Sequence, residues 1–84
     1  MKYITIQDES AIVNLDRIIV IRIQKSFMGG YNIIGSSDLN GNDSTLLGVY
    51  NDLQEADLIF NTLAHLISSN SNEPYFMPKR ELRI

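Results

Sequence analysis

A helix start constrains the fold of this chain more than any other feature. Asp52 occupies the position of an N-cap and Glu55 follows three residues later, the capping-box pattern that satisfies two otherwise unpaired helix amides. The apolar side chains after it recur at helical spacing and share one stripe that reaches about Ser68. The stripe consists of Ala56, Ile59, Phe60, Leu63 and Ile67, flanked by Leu53, Ala64 and Leu66. We therefore predict one amphipathic helix over residues 52–68.

Strand patterns fill the sequence ahead of this helix. Ile4 and Ile6 alternate with Tyr3 and Thr5, which predicts a strand with one buried face. Residues 17–24 are apolar on both faces, as in a central strand or a strand that bends over two layers. The segments with strand character are 2–7, 11–14, 17–24, 31–36 and 45–50.

These elements predict an α+β fold, in which a strongly bent antiparallel sheet of about five strands is covered by the single helix. A chain of 84 residues is long enough for one domain with one core. We assign residues 1–70 to that domain. Residues 71–84, which include Pro74 and Pro78, are predicted to form an extended C-terminal tail.

Charge and composition exclude several classes of partner. The net charge is −3, and residues 1–73 carry nine acidic against four basic side chains. An acidic body does not attract a phosphate backbone, so we expect no nucleic-acid binding. There is no cysteine, and no apolar run is long enough for a signal peptide or a membrane span. We therefore expect a soluble cytoplasmic protein that does not associate with membranes.

The residue types that carry catalysis and metal binding are sparse. His65 is the only histidine, and no nucleophile motif lies near it. Gly29 and Gly30 precede a strand and no Lys-Ser or Lys-Thr follows them, so they do not form a phosphate-binding loop. The segment 38–43 lacks the glycine and glutamate of a calcium loop at the required positions. We predict a protein without enzymatic activity, cofactor or metal.

The tail is the strongest candidate for a binding element. Tyr75, Phe76 and Met77 are three large apolar side chains between two prolines, so they cannot continue a helix and are poorly suited to water. One interpretation is that they fold back and close an open end of the sheet. The other is that they dock on a second chain, either a copy of this protein or a different protein.

A second candidate surface lies on the helix, opposite the apolar stripe. Leu58 and His65 are seven residues apart and share this outer side with Thr62. Either Leu58 is one of the scattered exposed leucines that any protein carries, or the group forms a modest patch that a partner covers.

Two segments resemble a group of small, mostly uncharacterised proteins of low-GC Gram-positive bacteria and their phages. The first is 13–18, Val-Asn-Leu-Asp-Arg-Ile, and the second is 47–50, Leu-Gly-Val-Tyr, followed by the helix start. The richness in Ile and Asn agrees with an AT-rich coding sequence. The resemblance implies a curved antiparallel sheet closed by one C-terminal helix, similar to a reduced pleckstrin-homology-like roll, and it implies no activity.

The leading functional prediction is a non-catalytic protein-interaction module, encoded by a bacterium, phage or prophage, that binds another protein or a second copy of itself. A first alternative is a small-ligand-binding domain that uses the concave face of the sheet, with Phe27, Tyr31 or Tyr50 lining a pocket. A second alternative is an acidic inhibitor of a nucleic-acid enzyme, which rests on the charge of residues 1–73.

Overall fold

The elements of the fold are six short strands and one helix, seen in a computed structural model that describes residues 2–40, 42–69 and 73–79. Predictions about residues 1, 41, 70–72 and 80–84, including both ends of the predicted tail over 71–84, lie outside the described residues. In chain order the elements are β1 (Tyr3–Thr5), β2 (Ile12–Asn14), β3 (Val20–Lys25), β4 (Tyr31–Ser36), β5 (Ser44–Tyr50), α1 (Leu53–Ser68) and β6 (Tyr75–Phe76).

Side chains hydrogen-bond to backbone groups at both ends of α1. The side chain of Asp52 accepts a hydrogen bond from the Glu55 amide at 2.8 Å, so Asp52 is the N-cap, as predicted. The Glu55 carboxylate in turn accepts from the Asn51 amide at 3.1 Å, one residue ahead of the cap. At the other end, the Lys2 ammonium group donates to the carbonyl oxygens of Leu66, Ile67 and Ser69. A cation at the C-terminus also opposes the negative end of the helix dipole.

The helix covers one face of a three-stranded antiparallel sheet, the hairpin sheet, with the strand order β3-β4-β5. Ala56, Ile59 and Leu63 are its buried residues, as the stripe predicts, whereas Ile67 is 52% exposed. A 16-residue helix is about 24 Å long, and three strands spaced about 4.8 Å apart are too few to cover both of its ends.

A β-bulge lies in the hairpin sheet between β4 and β5. Ile33 pairs with Gly48 and Ile34 pairs with Leu46, so Leu47 is the extra residue on β5. The bulge allows two consecutive residues, Leu47 and Gly48, to be buried. Gly48 is required there because a Cβ would lie only 2.8 Å from the hydroxyl oxygen of Tyr50.

The second sheet, the tail sheet, has the strand order β2-β1-β6. β1 pairs with β2 in the antiparallel direction and with β6 in the parallel direction. The register places Ile4 opposite Val13 on one side and opposite Tyr75 on the other. The Met77 amide continues the ladder and donates to the Thr5 carbonyl oxygen at 3.0 Å. The first and the last described strands, β1 and β6, therefore lie side by side in one sheet.

The predicted single sheet of about five strands is wrong in detail, although the α+β class is confirmed. β1 cannot pair with a strand of the hairpin sheet, because β2 and β6 already occupy both edges of β1. The two sheets meet instead at a seam, where the Gln7 amide donates to the Leu47 carbonyl oxygen at 2.9 Å. The Gln7 side chain takes the place of a neighbouring strand for Val49. It accepts a hydrogen bond from the Val49 amide and donates one to the Val49 carbonyl oxygen, both at 2.9 Å.

The strand predicted over 17–24 begins later, at Val20. Leu15–Arg17 forms a short 3₁₀ turn, because the Asn14 side chain accepts from the Asp16 amide at 3.0 Å and directs the backbone away from a ladder. The first predicted strand is also shorter, since only Tyr3–Thr5 of residues 2–7 pairs as a strand. A single cluster of buried apolar residues joins the elements; it comprises Ile4, Leu15, Ile33, Leu47, Tyr50, Ala56, Ile59, Leu63 and Met77.

Candidate functional site

The tail sheet has one face toward the core and one face open. Ile4 is buried, and its neighbours Val13 and Tyr75 pack against the core, so this rung of the ladder points inward. Residues directly opposite each other share a face, and successive residues alternate between faces. The next rung, which consists of Ile12, Thr5 and Phe76 across the three strands, therefore points outward.

This outer face is apolar and accessible. Phe76 is 62% exposed, Ile12 is 68% exposed, and Tyr3, two residues from Thr5 on the same face, is 43% exposed. Each of these side chains presents on the order of 100 Å², so together they reach the few hundred Å² of the largest patches on monomeric proteins. We call the set Tyr3, Thr5, Ile12, Asn14 and Phe76 the outer face, and none of its side chains is charged.

The three tail residues predicted to bind a partner separate into two groups. Tyr75 is half-buried, and Met77 is 4% exposed and belongs to the core. These two side chains close the end of the protein, as the first interpretation of the tail proposed. Phe76, between them, points the opposite way and is the residue of the three that a partner could contact.

Polar contacts fix the tail beyond its strand. The Pro78 carbonyl oxygen accepts from the Tyr50 hydroxyl at 2.9 Å and from the Gln7 side-chain amide at 3.2 Å. Lys79 lies 3.4 Å from Glu9 in an exposed ion pair that contributes little to stability. Burial raises the pKa of Tyr50 above its ordinary value of 10.0, and it raises the pKa of Tyr75 as well. The phenol of Tyr50 is thus a neutral donor that holds the tail.

Leu58 and His65 both lie exposed on α1, as the helical wheel predicts, and Leu58 is 68% exposed. The Thr62 hydroxyl beside them donates to the Leu58 carbonyl oxygen at 3.0 Å, so this hydroxyl is turned to its own helix. The two residues form a smaller and more polar surface than the outer face, and their role in binding stays a prediction.

Of the residues suggested for a small-ligand pocket, Tyr31 and Tyr50 pair across β4 and β5 on the core side, whereas Phe27 extends into solvent. Tyr50 is fully buried, whereas Phe27 is fully exposed at the tip of the β3–β4 hairpin. Two pockets on the described surface hold about 180 Å³ and about 60 Å³. Sites for drug-sized ligands usually exceed ~300 Å³. The larger of these two pockets is mostly polar and is lined by Arg22, Gln24, Ile34, Ser36, Asn40 and Ser44.

The residues that the structure describes contain neither a metal-binding cluster nor a membrane-spanning helix. Within 2–40, 42–69 and 73–79, no three histidine, cysteine, aspartate or glutamate side chains are grouped as a metal ion would require. Over the same part of the chain, no helix has the length and apolar character needed to cross a membrane.

No protein-family model, curated protein or solved structure matches this chain. The sequence correctly placed Tyr3 and Thr5 opposite Ile4, but it gave no sign that Ile12 and Phe76 lie beside them. That adjacency depends on strand register, and a two-residue parallel strand has no local sequence pattern that would reveal it.

Proposed function

We propose that this chain is a small non-catalytic protein-interaction module and that its partner binds the outer face of the tail sheet. One observation carries the proposal: Ile12, Thr5 and Phe76 form an uninterrupted row across three strands, and no described element covers it. Singly exposed apolar side chains need no explanation, but three on one contiguous face, here Tyr3, Ile12 and Phe76, are typical of an interaction surface.

The chemistry of the outer face favours a protein as the occupant. Its side chains are uncharged, and the described residues carry nine acidic against five basic groups, so a phosphate backbone finds no basic surface there. Burying an apolar side chain contributes about 1.5–3 kcal/mol. Three such side chains supply enough for a transient contact once the costs of association are deducted.

The partner is either another protein or a second copy of this chain. An uncharged face suits a second copy, because a contact between two such faces places no like charges directly opposite one another, although each chain carries a net charge of −3. Leu58 and His65 belong to the proposal as a second, weaker contact region on α1. The non-catalytic part of the proposal rests on the sequence, which offers one histidine, no cysteine and no nucleophile motif.

The test uses substitutions that remove apolar surface but keep strand propensity. Ile12→Thr combined with Phe76→Thr places β-branched polar residues at both positions. Leu39→Ser is the matched control, because it removes a comparably exposed apolar side chain from the connection between β4 and β5, outside both proposed contact regions. Wild-type, double-variant and control proteins serve as baits in source-cell lysate, and each is also examined by sedimentation velocity.

We expect the double variant to lose a partner, or to become monomeric, while the control behaves as the wild type. Recovery of the same proteins with all three baits, together with an unchanged sedimentation coefficient, would exclude the outer face as a binding surface.

The proposal also includes a cytoplasmic setting and a bacterial or phage gene of the group that the chain resembles. The lack of cysteine supports the cytoplasmic setting, and the Ile- and Asn-rich composition supports the bacterial or phage gene.

A further inference from the structure

The tip of the β3–β4 hairpin is a tight, internally bonded turn. The Ser26 amide donates to the Gly30 carbonyl oxygen at 3.0 Å, and the Gly29 amide donates to the Ser26 carbonyl oxygen at 3.4 Å. The Ser26 hydroxyl also accepts from the Met28 amide at 3.2 Å. Gly29 and Gly30 have φ angles of 90° and 82°, which glycine adopts without strain. Phe27 and Met28 are therefore held at the outermost point of a defined turn.

These two side chains have no structural role in the described protein. Phe27 is 109% exposed and Met28 is 96% exposed, relative to a fully accessible side chain. Turn positions of this kind normally carry Asn, Asp, Ser, Pro or Gly, which the local backbone favours. Two large apolar residues there depart from this preference of turns for polar or small residues, and they gain no packing in return. Such departures are expected at functional sites.

A lipid bilayer is a poor fit for this tip. Two apolar side chains bind a membrane no more strongly than one myristoyl chain, whose affinity on the order of 10⁴ M⁻¹ is only marginal by itself. The described residues carry nine acidic against five basic side chains, so an anionic membrane surface would repel the protein. Two apolar side chains that project from a turn fit a concave pocket in a protein, where their burial adds to the contacts around the pocket.

Lys25 supplies the charge beside the tip. It is the last residue of β3, it pairs with Tyr31 across the hairpin, and its side chain is exposed. Its ammonium group makes no hydrogen bond or ion pair with any residue that the structure describes. A partner that receives the tip can therefore pair this ammonium group with a carboxylate.

We propose that Phe27 and Met28 form an anchor that inserts into an apolar pocket of a partner protein, with Lys25 facing a carboxylate on the rim of that pocket. The inference rests on the proposed function in one respect, namely that the occupant is a protein. It concerns a different surface, since the anchor lies at a hairpin tip of the other sheet and shares no residue with the outer face.

The experiment begins with a photo-crosslinking amino acid placed at position 28, or at position 12 on the outer face, of the full chain in source cells. The captured protein is purified, and its affinity is measured for wild type and for three variants. The first is the double variant Phe27→Ser with Met28→Ser, and the second is Lys25→Glu. The third is the control Leu39→Ser, which removes a 76% exposed side chain from the connection at the opposite end of β4.

Capture alone does not decide the question; the ratio of affinities does. We expect the double variant to melt at the wild-type temperature and to bind about 100-fold more weakly, as for the loss of two interface anchors worth tenfold each. Lys25→Glu should weaken binding severalfold at low salt and less at high salt, because screening removes the charge contribution. Leu39→Ser should bind as the wild type does.

Wild-type affinity of the double variant overturns the inference, as does a melting temperature lowered by several degrees, which would mean that the tip packs on its own protein. A partner captured from position 12 but never from position 28 also overturns it, while the proposed function stands. Failure to capture a partner from either position contradicts both. Binding to vesicles of phosphatidylcholine and phosphatidylglycerol that the double variant abolishes would assign the tip to a membrane instead.

Discussion

Two neighbouring residues of the tail, Phe76 and Met77, should respond very differently to truncation. Met77 is 4% exposed within the core cluster, and its amide donates to the Thr5 carbonyl oxygen. Phe76 is 62% exposed on the outer face. Because the side chains of successive strand residues point to opposite faces, a tail that is paired as described requires this contrast.

The expected magnitudes follow from burial. Replacing a buried methionine with alanine costs about 2–5 kcal/mol. We expect the lower end, about 2 kcal/mol, because β6 has only two residues and the tail can separate from the sheet before the rest unfolds. In a domain of this size that loss lowers Tm by roughly 10 °C. Phe76→Ala should change the free energy of unfolding by less than about 0.5 kcal/mol, as is usual for surface positions.

Urea denaturation followed by circular dichroism, with thermal melts as a second measurement, compares wild type, Met77→Ala and Phe76→Ala. Met77→Leu is the control for volume, since it keeps the apolar side chain and should cost less than about 1.5 kcal/mol. Equal destabilisation by the two alanine variants, or a larger effect at Phe76, would refute the pairing of the tail with β1 and the orientation of both residues.

Three further predictions concern the seam between the sheets. Gln7→Glu places a carboxylate against the carbonyl oxygens of Val49 and Pro78, so the pKa of the new carboxyl group should rise in the folded protein. Urea titrations should find near wild-type stability below the ordinary Glu pKa of about 4.3. The stability of the variant should then fall as pH increases through the raised pKa. Gly48→Ala should cost about 1–3 kcal/mol by calorimetry, because its Cβ would lie 2.8 Å from the Tyr50 hydroxyl oxygen. The raised pKa of Tyr50 means that its contribution to stability is complete below pH 10.0 and is lost at higher pH. Tyr50→Phe should flatten that alkaline decline in urea titrations and cost about 1 kcal/mol at neutral pH.

The sequence predicted the parts of the fold that depend on neighbours along the chain. Asp52 and Glu55 define the helix start through contacts within four residues, and the prediction agrees with the structure there. β4 was predicted with its observed bounds because turn-forming residues flank it on both sides, with Gly29 and Gly30 before it and residues 37–44 after it. Helical periodicity likewise predicted that Ala56, Ile59 and Leu63 are buried, although it also predicted Ile67, which is 52% exposed.

Pairing between distant parts of the chain could not be predicted in this way. β6 lies beside β1 although the two strands come from opposite ends of the sequence, and only two residues of β6 take part. This pairing occupies the second edge of β1 and is the reason for two sheets in place of one. It also creates the outer face, because Phe76 and Ile12 become neighbours only through the register with Thr5.

Binding through the outer face can be tested by measuring the affinity of a partner, or of the chain for itself, for wild type and for Phe76→Thr. We expect Phe76→Thr to have a dissociation constant at least tenfold larger, at an unchanged melting temperature, because an exposed aromatic side chain is removed while the strand is kept. Equal affinity of the two proteins would show that the outer face of the tail sheet is not where a partner binds.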